Sequence, residues 1–272
     1  MDTPSNSFMA RNQFLLGRLH SLSGLVPVGA YMCVHLLTNA SINDSPGKFQ
    51  TAVYQIHSLG SALPIVEWVF IFIPILFHAI YGLLIIRDSQ PNSATYTYSS
   101  NIRYTLQRAT GLIAFAFIFW HVFHMHGWFH ADWWLENVAQ PLGGAQFKPY
   151  NASSTAGGAI QGNFIVQILY GVGIAACVFH LANGIWTFGI TWGLWVSPKA
   201  QARANYLAIG VGVAVGLVGL GALVGVAKVD VNKAKEVEQK MKDAKIASGE
   251  IVDDPHKSSH EAGEPHKSSG AQ

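Results

Sequence analysis

Apolar residues are concentrated in five long stretches that alternate with shorter polar segments. A helix needs about 20 predominantly apolar residues to cross the hydrocarbon core of a bilayer, and each stretch reaches that length. The predicted spans cover residues 18–39, 64–86, 108–129, 164–192 and 205–227. The fifth is rich in glycine, with Gly212, Gly216 and Gly219, which favours close packing against a neighbouring helix. The pattern therefore predicts an all-α membrane protein with five transmembrane helices.

The polar segments predict a loop and a tail. Residues 142–162 are rich in Gly, Ala and Ser, and we expect an irregular loop there. After the fifth span, residues 231–247 could form a polar helix, and the repeated DPHKSS and EPHKSS that follow are typical of disordered chain. The predicted organisation is a membrane domain over residues 1–228 and a polar, disordered tail over residues 229–272.

Composition supports a membrane protein and disfavours other classes. Hydrophobic residues make up 50% of the 272 positions, and charged residues only 12%. The chain has no basic patch interleaved with aromatic residues, so nucleic acid is not an expected partner. Its two cysteines, Cys33 and Cys177, are too few for a disulfide framework or an iron–sulfur cluster.

The distribution of arginine and lysine predicts the orientation of the spans. If the N-terminus is cytoplasmic, the outer loops hold only Lys48 and Lys148. The inner segments then hold Arg11, Arg18, Arg87, Arg103, Arg108, Lys199 and Arg203. Positive charge accumulates on the cytoplasmic side of membrane proteins. We therefore expect a cytoplasmic N-terminus and, after five spans, a tail on the outer side.

Each of the first four predicted spans carries a histidine within its apolar sequence. They are His35, His78, His121 and His180. With a rise of about 1.5 Å per residue, His35 and His121 lie about 6 and 12 Å from the outer ends of their spans. His78 and His180 lie about 21 and 24 Å deep, so an inner layer sits about 13 Å from the outer one. His124 fits the outer layer by depth as well as His121 does.

Two histidines that face each other across a helix bundle suit the ligation of a haem iron by both imidazoles. Gly82 and Gly184 lie near the inner histidines and would leave space for a macrocycle, and Gly111 could face the same layer. Zinc would need a tetrahedral cluster at one depth, and a copper site would lack a methionine near the inner layer. A histidine that only hydrogen-bonds between helices is the alternative for each position alone. One histidine on each of four successive helices favours ligation.

The same spans resemble a known family, the cytochrome b membrane anchors of succinate:quinone oxidoreductases, of the type with five helices and two haems in one polypeptide. The matching segments are RLHSLSGLVPVGAYMCVHLLTN (18–39), LPIVEWVFIFIPILFHAIYGL (63–83), LQRATGLIAFAFIFWHV (106–122) and FHLANGIWTFGITWG (179–193). The resemblance implies that the first four helices form a two-haem bundle. It implies an outer haem b on His35 and His121 and an inner haem b on His78 and His180, and thus favours His121 over His124.

The resemblance also implies partners and a place in the cell. A flavoprotein subunit with covalent FAD and an iron–sulfur subunit would dock on the cytoplasmic face of a bacterial inner membrane. Electrons from succinate would pass to the inner haem, the outer haem and then a quinone, usually menaquinone for this type. Since this chain has no dinucleotide fingerprint and no cysteine cluster, the succinate chemistry would belong to the partners. Fumarate reduction uses the same fold, and the direction stays open.

Two further groups of polar residues are candidates for function. Glu67 is the only carboxylate within a predicted span, and we expect it to handle protons for a quinone near the outer haem. A carboxylate that reaches the outer interface is the alternative. Arg18, His20, Ser21 and Arg108 lie at the inner ends of the first and third helices and could hold the propionates of the inner haem. Anchoring by positive charge is the alternative for the arginines.

Two other functions fit parts of the pattern. A two-haem cytochrome b subunit of formate dehydrogenase or hydrogenase would share the histidine-bearing spans and differ in its soluble partner. A transporter or ion channel would use the histidines as a proton relay and would lack the absorption of a b-type haem.

Overall fold

The computed structural model describes residues 8–87 and 98–259, and all regular secondary structure in these ranges is helical. Five helical segments are long and apolar enough to cross a membrane, and we number them span 1 to span 5. They are Arg11–Asn43, Gly60–Arg87, Asn101–His126, Phe164–Thr191 and Pro198–Lys228. The prediction of an all-α membrane protein with five transmembrane helices is confirmed.

The spans are built from longer and shorter helices, and further helices lie between and after them. In chain order the helices are α1 Phe8–Ser23, α2 Ala30–Ala40, α3 Pro46–His57, α4 Leu63–Glu67, α5 Ile73–Arg87, α6 Ser99–His126, α7 Asp132–Trp134, α8 Ala152–Gln161, α9 Phe164–Thr191, α10 Pro198–Lys228 and α11 Val231–Ala247. Span 1 contains α1 and α2, and span 2 contains α4 and α5. Spans 3, 4 and 5 correspond to α6, α9 and α10.

Several span ends differ from the predicted ones because local capping, not hydropathy, sets them. Helix α10 begins at Pro198, where the hydroxyl oxygen of Ser197 accepts the backbone N–H of Ala200 at 3.2 Å. Helix α6 ends at His126 because Gly127 adopts a left-handed conformation with φ of 82°. A glycine in this position ends a helix without steric strain.

Spans 1 and 2 each contain a π-helical turn. The turns cover Gly24–Gly29, which includes Pro27, and Trp68–Phe72, which ends two residues before Pro74. Proline lacks a backbone N–H and clashes with the carbonyl four residues earlier, and the wider π turn accommodates that clash. The turn in span 1 brings Gly24 against span 2, where an added Cβ would lie 2.2 Å from Cε1 of His78.

Helix α9 is central to the packing, because it contacts α6 on one side and α10 on another. Helix α10 also packs along α2. Its glycines make the close approach possible, as predicted. An added Cβ would lie 2.8 Å from Ile174 at Gly219 and 3.0 Å from Ala182 at Gly212.

Helices α3, α8 and α11 pack against one another beyond the ends of the spans, and we call these three helices the cap. They follow spans 1, 3 and 5, so they lie on the side that the charge distribution predicts to be outside. The cap shares one apolar core with the adjacent ends of the spans, from Phe49 in α3 and Ala152 in α8 to Tyr170 in α9 and Val226 in α10.

The prediction of an irregular loop over residues 142–162 is wrong for its second half, where α8 forms. Two fully buried side chains from distant parts of the chain accept the first backbone N–H groups of this helix. Gln50 accepts from Ala152 at 2.8 Å, and one oxygen of Glu238 accepts from Ser153 and Ser154 at 2.5 and 3.1 Å. Helix ends need such partners, and these come from α3 and α11.

The predicted polar helix over residues 231–247 is present as α11. Residues 248–259 of the tail, for which we expected disorder, lie against the loop before α8. Tyr150 donates to the carbonyl of Val252 at 3.1 Å, and the backbone N–H of Ser259 donates to the side chain of Asn151 at 2.8 Å. The polar composition is compatible with order because neighbouring loops satisfy the tail's backbone. The second hexapeptide of the repeat lies outside the described residues.

Candidate functional site

The four span histidines meet in two pairs across the bundle. His35 of α2 faces His121 of α6 with ring centroids 5.9 Å apart, and we call these the outer pair. His78 of α5 faces His180 of α9 with centroids 6.0 Å apart, and we call these the inner pair. A metal held by two imidazoles through bonds of about 2 Å separates the ring centroids by about 6 Å. Spans 1 and 3 therefore supply one pair and spans 2 and 4 the other, which is the pairing that the depths predicted.

Backbone carbonyls orient both rings of the inner pair. Nδ1 of His78 lies 2.8 Å from the carbonyl oxygen of His20, and Nδ1 of His180 lies 3.0 Å from that of Gln107. A carbonyl oxygen only accepts, so each Nδ1 carries the proton in the neutral ring. The lone pair is then on Nε2, the arrangement that a metal-binding histidine needs.

Glycines allow the neighbouring helices to approach the inner pair. Besides Gly24 against His78, an added Cβ at Gly111 would lie 2.9 Å from Cε1 of His180. Gly111 thus faces the inner layer, as considered from the sequence. Gly24 was missed, although Pro27 close to it signalled irregular backbone. A larger residue at either glycine would displace a histidine ring.

The residues proposed for propionate contacts lie at the inner ends of the spans, but they do not form one group. The ring of His20 stacks on that of His78 at 4.1 Å. Ser21 accepts from the indole of Trp192 at 3.0 Å, and the guanidinium of Arg18 lies over the same indole at 5.3 Å.

Arg18 and Arg108 differ in their surroundings. Nε of Arg18 is buried without a hydrogen-bond partner among the residues that the structure describes. Arg108 instead contacts Tyr104 on its own helix, donating to the hydroxyl and lying 3.8 Å from the ring centroid. Arg18, with its unpartnered donor, is thus the better placed of the two to receive an anionic group.

The outer pair has a tyrosine beside it that the sequence did not reveal. The hydroxyl of Tyr170 lies 3.1 Å from Nδ1 of His121 and 3.0 Å from Nδ1 of His124. His124 is buried at 7% exposure and stacks on Trp120 at 4.8 Å. His121 therefore faces His35, whereas His124 lies between Trp120 and Tyr170. This orientation separates two histidines that depth alone could not.

Glu67 lies near the layer of the outer pair. It ends α4, directly before the π turn of span 2, and its side chain is half-buried. Glu67 interacts electrostatically with Tyr31. The ring of Tyr31 lies 5.6 Å from that of His35. A carboxylate, a phenol and an imidazole thus follow one another at this end of spans 1 and 2.

Within residues 8–87 and 98–259, no three His, Cys, Asp or Glu side chains come together as a metal site. Each histidine pair would supply at most two protein ligands to a metal. That donor set suits a metal whose remaining ligands come from a macrocycle, and it differs from the closed tetrahedral set of structural zinc.

Comparison with known proteins gives one informative match. No protein-family model matches the chain. The chain is 32% identical over 211 residues to the succinate dehydrogenase cytochrome b558 subunit of Bacillus subtilis (strain 168), and the match covers 78% of this chain and 96% of that subunit. The match covers nearly the whole relative. The chain also has five long apolar helices, the number that the resemblance implied. The chain therefore belongs to the family of the cytochrome b subunits of succinate dehydrogenase.

Proposed function

We propose that this protein is the membrane-anchor and electron-transfer subunit of a succinate:quinone oxidoreductase, which passes electrons between an iron–sulfur subunit and a quinone through two b haems. The observation that carries the proposal is the meeting of four span histidines as two pairs, with ring centroids 5.9 and 6.0 Å apart. The name of the Bacillus subtilis relative supports succinate dehydrogenase over formate dehydrogenase or hydrogenase. The paired geometry also favours ligation over a transporter's proton relay.

The residues around the pairs fit a haem in three respects. Both inner rings present Nε2, because carbonyls hold their Nδ1 atoms. Gly24 and Gly111 leave room where a Cβ would touch a ring. Arg18 offers a buried donor without a partner among the described residues, which suits a propionate. When bound, the haems supply reversible one-electron redox chemistry of iron.

In this proposal, His35 and His121 hold the outer iron, and His78 and His180 hold the inner iron. The carbonyls of His20 and Gln107 fix the inner imidazoles, and the hydroxyl of Tyr170 fixes that of His121. Arg18, His20, Ser21 and Arg108 remain the candidates for the inner propionates. Arg108 would have to turn away from Tyr104 to contact a propionate.

Glu67 is the proposed proton-transfer group for the quinone. A quinone takes up two protons when it is fully reduced, and a half-buried carboxylate near the end of a span can pass protons to it from water. This proposal is supported by the electrostatic interaction of Glu67 with Tyr31, whose ring lies 5.6 Å from that of His35 in the outer pair. We propose menaquinone as the quinone.

The succinate chemistry belongs to partners in this proposal, namely a flavoprotein subunit with FAD and an iron–sulfur subunit. Cys33 and Cys177 are both free and lie on different spans, so this chain offers no cluster site among the described residues. The partners would dock at the inner ends of the spans, near the inner pair. We place the protein in a bacterial inner membrane, with the N-terminus in the cytoplasm and the cap and tail outside.

Purification of the complex tests the proposal directly. Reduced-minus-oxidised spectra should show a b-type α-band, and alanine at His35, His78, His121 or His180 should each remove one haem. The complex should also oxidise succinate with a quinone acceptor. A purified complex without a b-type band would refute the haem assignment, and co-purification with formate dehydrogenase or hydrogenase subunits would refute the succinate assignment.

A further inference from the structure

A row of polar side chains connects α10, α6 and α9 at the inner pair. Arg103 of α6 donates from Nη1 to the side-chain oxygen of Asn205 at 3.0 Å and from Nε to that of Asn183 at 2.9 Å. The amide nitrogen of Asn183 donates to Oε1 of Gln107 at 2.8 Å, and Nε2 of Gln107 donates to the carbonyl of His180 at 3.2 Å. The row therefore runs from a cation to an inner-pair histidine.

Arg103 determines the direction of every hydrogen bond in this row. A guanidinium only donates, so the oxygen of the Asn183 amide must face Arg103. The nitrogen of that amide then faces Gln107, whose own oxygen must accept, and the nitrogen of Gln107 is turned towards His180. The orientation of both amides follows from the charge, although oxygen and nitrogen are hard to distinguish by shape alone.

The row also holds the ring of His180 in place. Its Nδ1 donates to the carbonyl of Gln107 at 3.0 Å, while the side chain of Gln107 donates back to the carbonyl of His180. This reciprocal pair joins α6 to α9 at the histidine. The amide nitrogen of Gln107 lies 3.4 Å from Nε2 of His180, the ring atom that would bind a metal.

Burial makes the row costly to disturb. Asn183 is only 4% exposed, and the guanidinium of Arg103 lies over the ring of Trp186 at 4.2 Å from its centroid. A buried amide that loses its partner is destabilising, and hydrogen bonds in a low dielectric polarise one another. The hydrogen-bonded amides of Asn183 and Gln107 thus connect the positively charged Arg103 to His180.

We infer that Arg103, Asn183 and Gln107 form a positioning row that orients His180 and raises the reduction potential of the inner haem. The inference rests on the proposed function, because it assumes that His180 binds haem iron. In general, a unit charge changes the ratio of oxidised to reduced haem about tenfold when it lies about 12 Å away at an effective dielectric constant of about 20. For a one-electron couple a tenfold change corresponds to about 59 mV.

The test is a redox titration of each haem in the intact complex, followed by visible spectroscopy, together with EPR of the oxidised haems. Arg103→Gln removes the charge, and Asn183→Leu interrupts the row. Gln167→Leu is the matched control, because Gln167 also lies on α9 but donates to the carbonyl of Ile160 near the other end of the helix. Arg103→Lys keeps the charge and loses the forked donor.

We expect Arg103→Gln to lower the reduction potential of the inner haem, so that the ratio of reduced to oxidised inner haem at a given potential falls about tenfold. The potential of the outer haem should stay unchanged. Asn183→Leu should lower it as well and should shift the EPR signal of the inner haem, which depends on the angle between the imidazole planes, 84° in the inner pair. Arg103→Lys should keep the reduction potential of the inner haem close to the wild-type value. Gln167→Leu should leave both the potential and the EPR signal of the inner haem unchanged.

An inner potential and EPR signal that stay at the wild-type values in Arg103→Gln would overturn the inference. So would equal shifts of the inner potential in Gln167→Leu and Asn183→Leu, because the effect would then be general. If Asn183→Leu loses the inner haem, the redox titration of Arg103→Gln tests the inference, because this variant keeps the amides of Asn183 and Gln107. Failure of the proposed function is recognised separately, as a wild-type complex that contains no b haem.

Discussion

Replacement of Glu238 by alanine should detach α11 from the other two helices of the cap, α3 and α8. Glu238 is fully buried, although it belongs to a polar helix. One of its carboxylate oxygens accepts the backbone N–H groups of Ser153 and Ser154, and the other accepts the hydroxyl of Ser154 at 2.5 Å. Alanine would leave two buried N–H groups at the start of α8 without their acceptor.

The expected size of this effect follows from the lost hydrogen bonds. An unsatisfied buried polar group costs about 1–3 kcal/mol, and loss of an N-cap acceptor costs about 1 kcal/mol. Water that enters the site would recover part of this, so we expect docking of α11 to weaken by about 2–4 kcal/mol. Each ~1.4 kcal/mol is a factor of ten, so the undocked population should rise by roughly 30- to 700-fold.

Limited proteolysis of the intact complex measures this population. Trypsin can cut α11 at Lys233, Lys235, Lys240, Lys242 and Lys245 when the helix is released. Glu236→Ala is the matched control, because Glu236 lies on the same helix and is exposed. Glu238→Gln keeps an acceptor oxygen and should stay close to the wild type. Equal cleavage rates for Glu238→Ala and Glu236→Ala would refute the reasoning.

Three further outcomes are expected. His121→Ala should lose the outer haem by visible spectroscopy, whereas His124→Ala should retain it; the reverse result would move the ligand to His124. Glu67→Gln should lower quinone turnover by about 100-fold or more at normal haem content, and unchanged turnover would remove its proposed role. Burial raises the pKa of Glu238 above its usual value, against the hydrogen bonds from Ser153 and Ser154 that lower it. The docked tail then binds more protons than the released tail between the usual pKa of Glu238 and its raised pKa, so docking should weaken as pH rises through that window. Hydrogen exchange of α8, corrected for intrinsic rates, should show this in the wild type and not in Glu238→Gln.

The spans and the pairing of the histidines could be predicted because both depend on local, periodic properties. Hydropathy identified the helices, and the rise per residue placed His35 with His121 and His78 with His180. The choice between His121 and His124 was beyond that reasoning, because residues three apart on a helix share nearly the same face and depth. The ring contacts distinguish them, because His121 faces His35 of another helix whereas His124 stacks on Trp120.

The cap could not be predicted from its own segments. The residues of α8 are small and polar, and their helix is completed by Gln50 and Glu238, which are about 100 and 85 positions away in the sequence. From the neighbouring residues in the sequence alone, a carboxylate in a charged helix is expected to face solvent. Local composition therefore favoured a loop where α8 forms, and it could not show that the predicted polar helix α11 docks against α3 and α8.

The two histidine pairs differ in the charge that surrounds them, and under the proposed function this difference would affect the direction of electron flow. Arg103 is connected to the inner pair through oriented amides, whereas Glu67 interacts with Tyr31 beside the outer pair. A nearby cation stabilises the reduced state of a haem, and a nearby carboxylate stabilises the oxidised state. The protein's own charges would thus hold an electron more tightly at the inner site than at the outer one. Transfer from inside to outside would then require another source of free energy, and proton uptake from the outer side through Glu67 would let the membrane potential supply it.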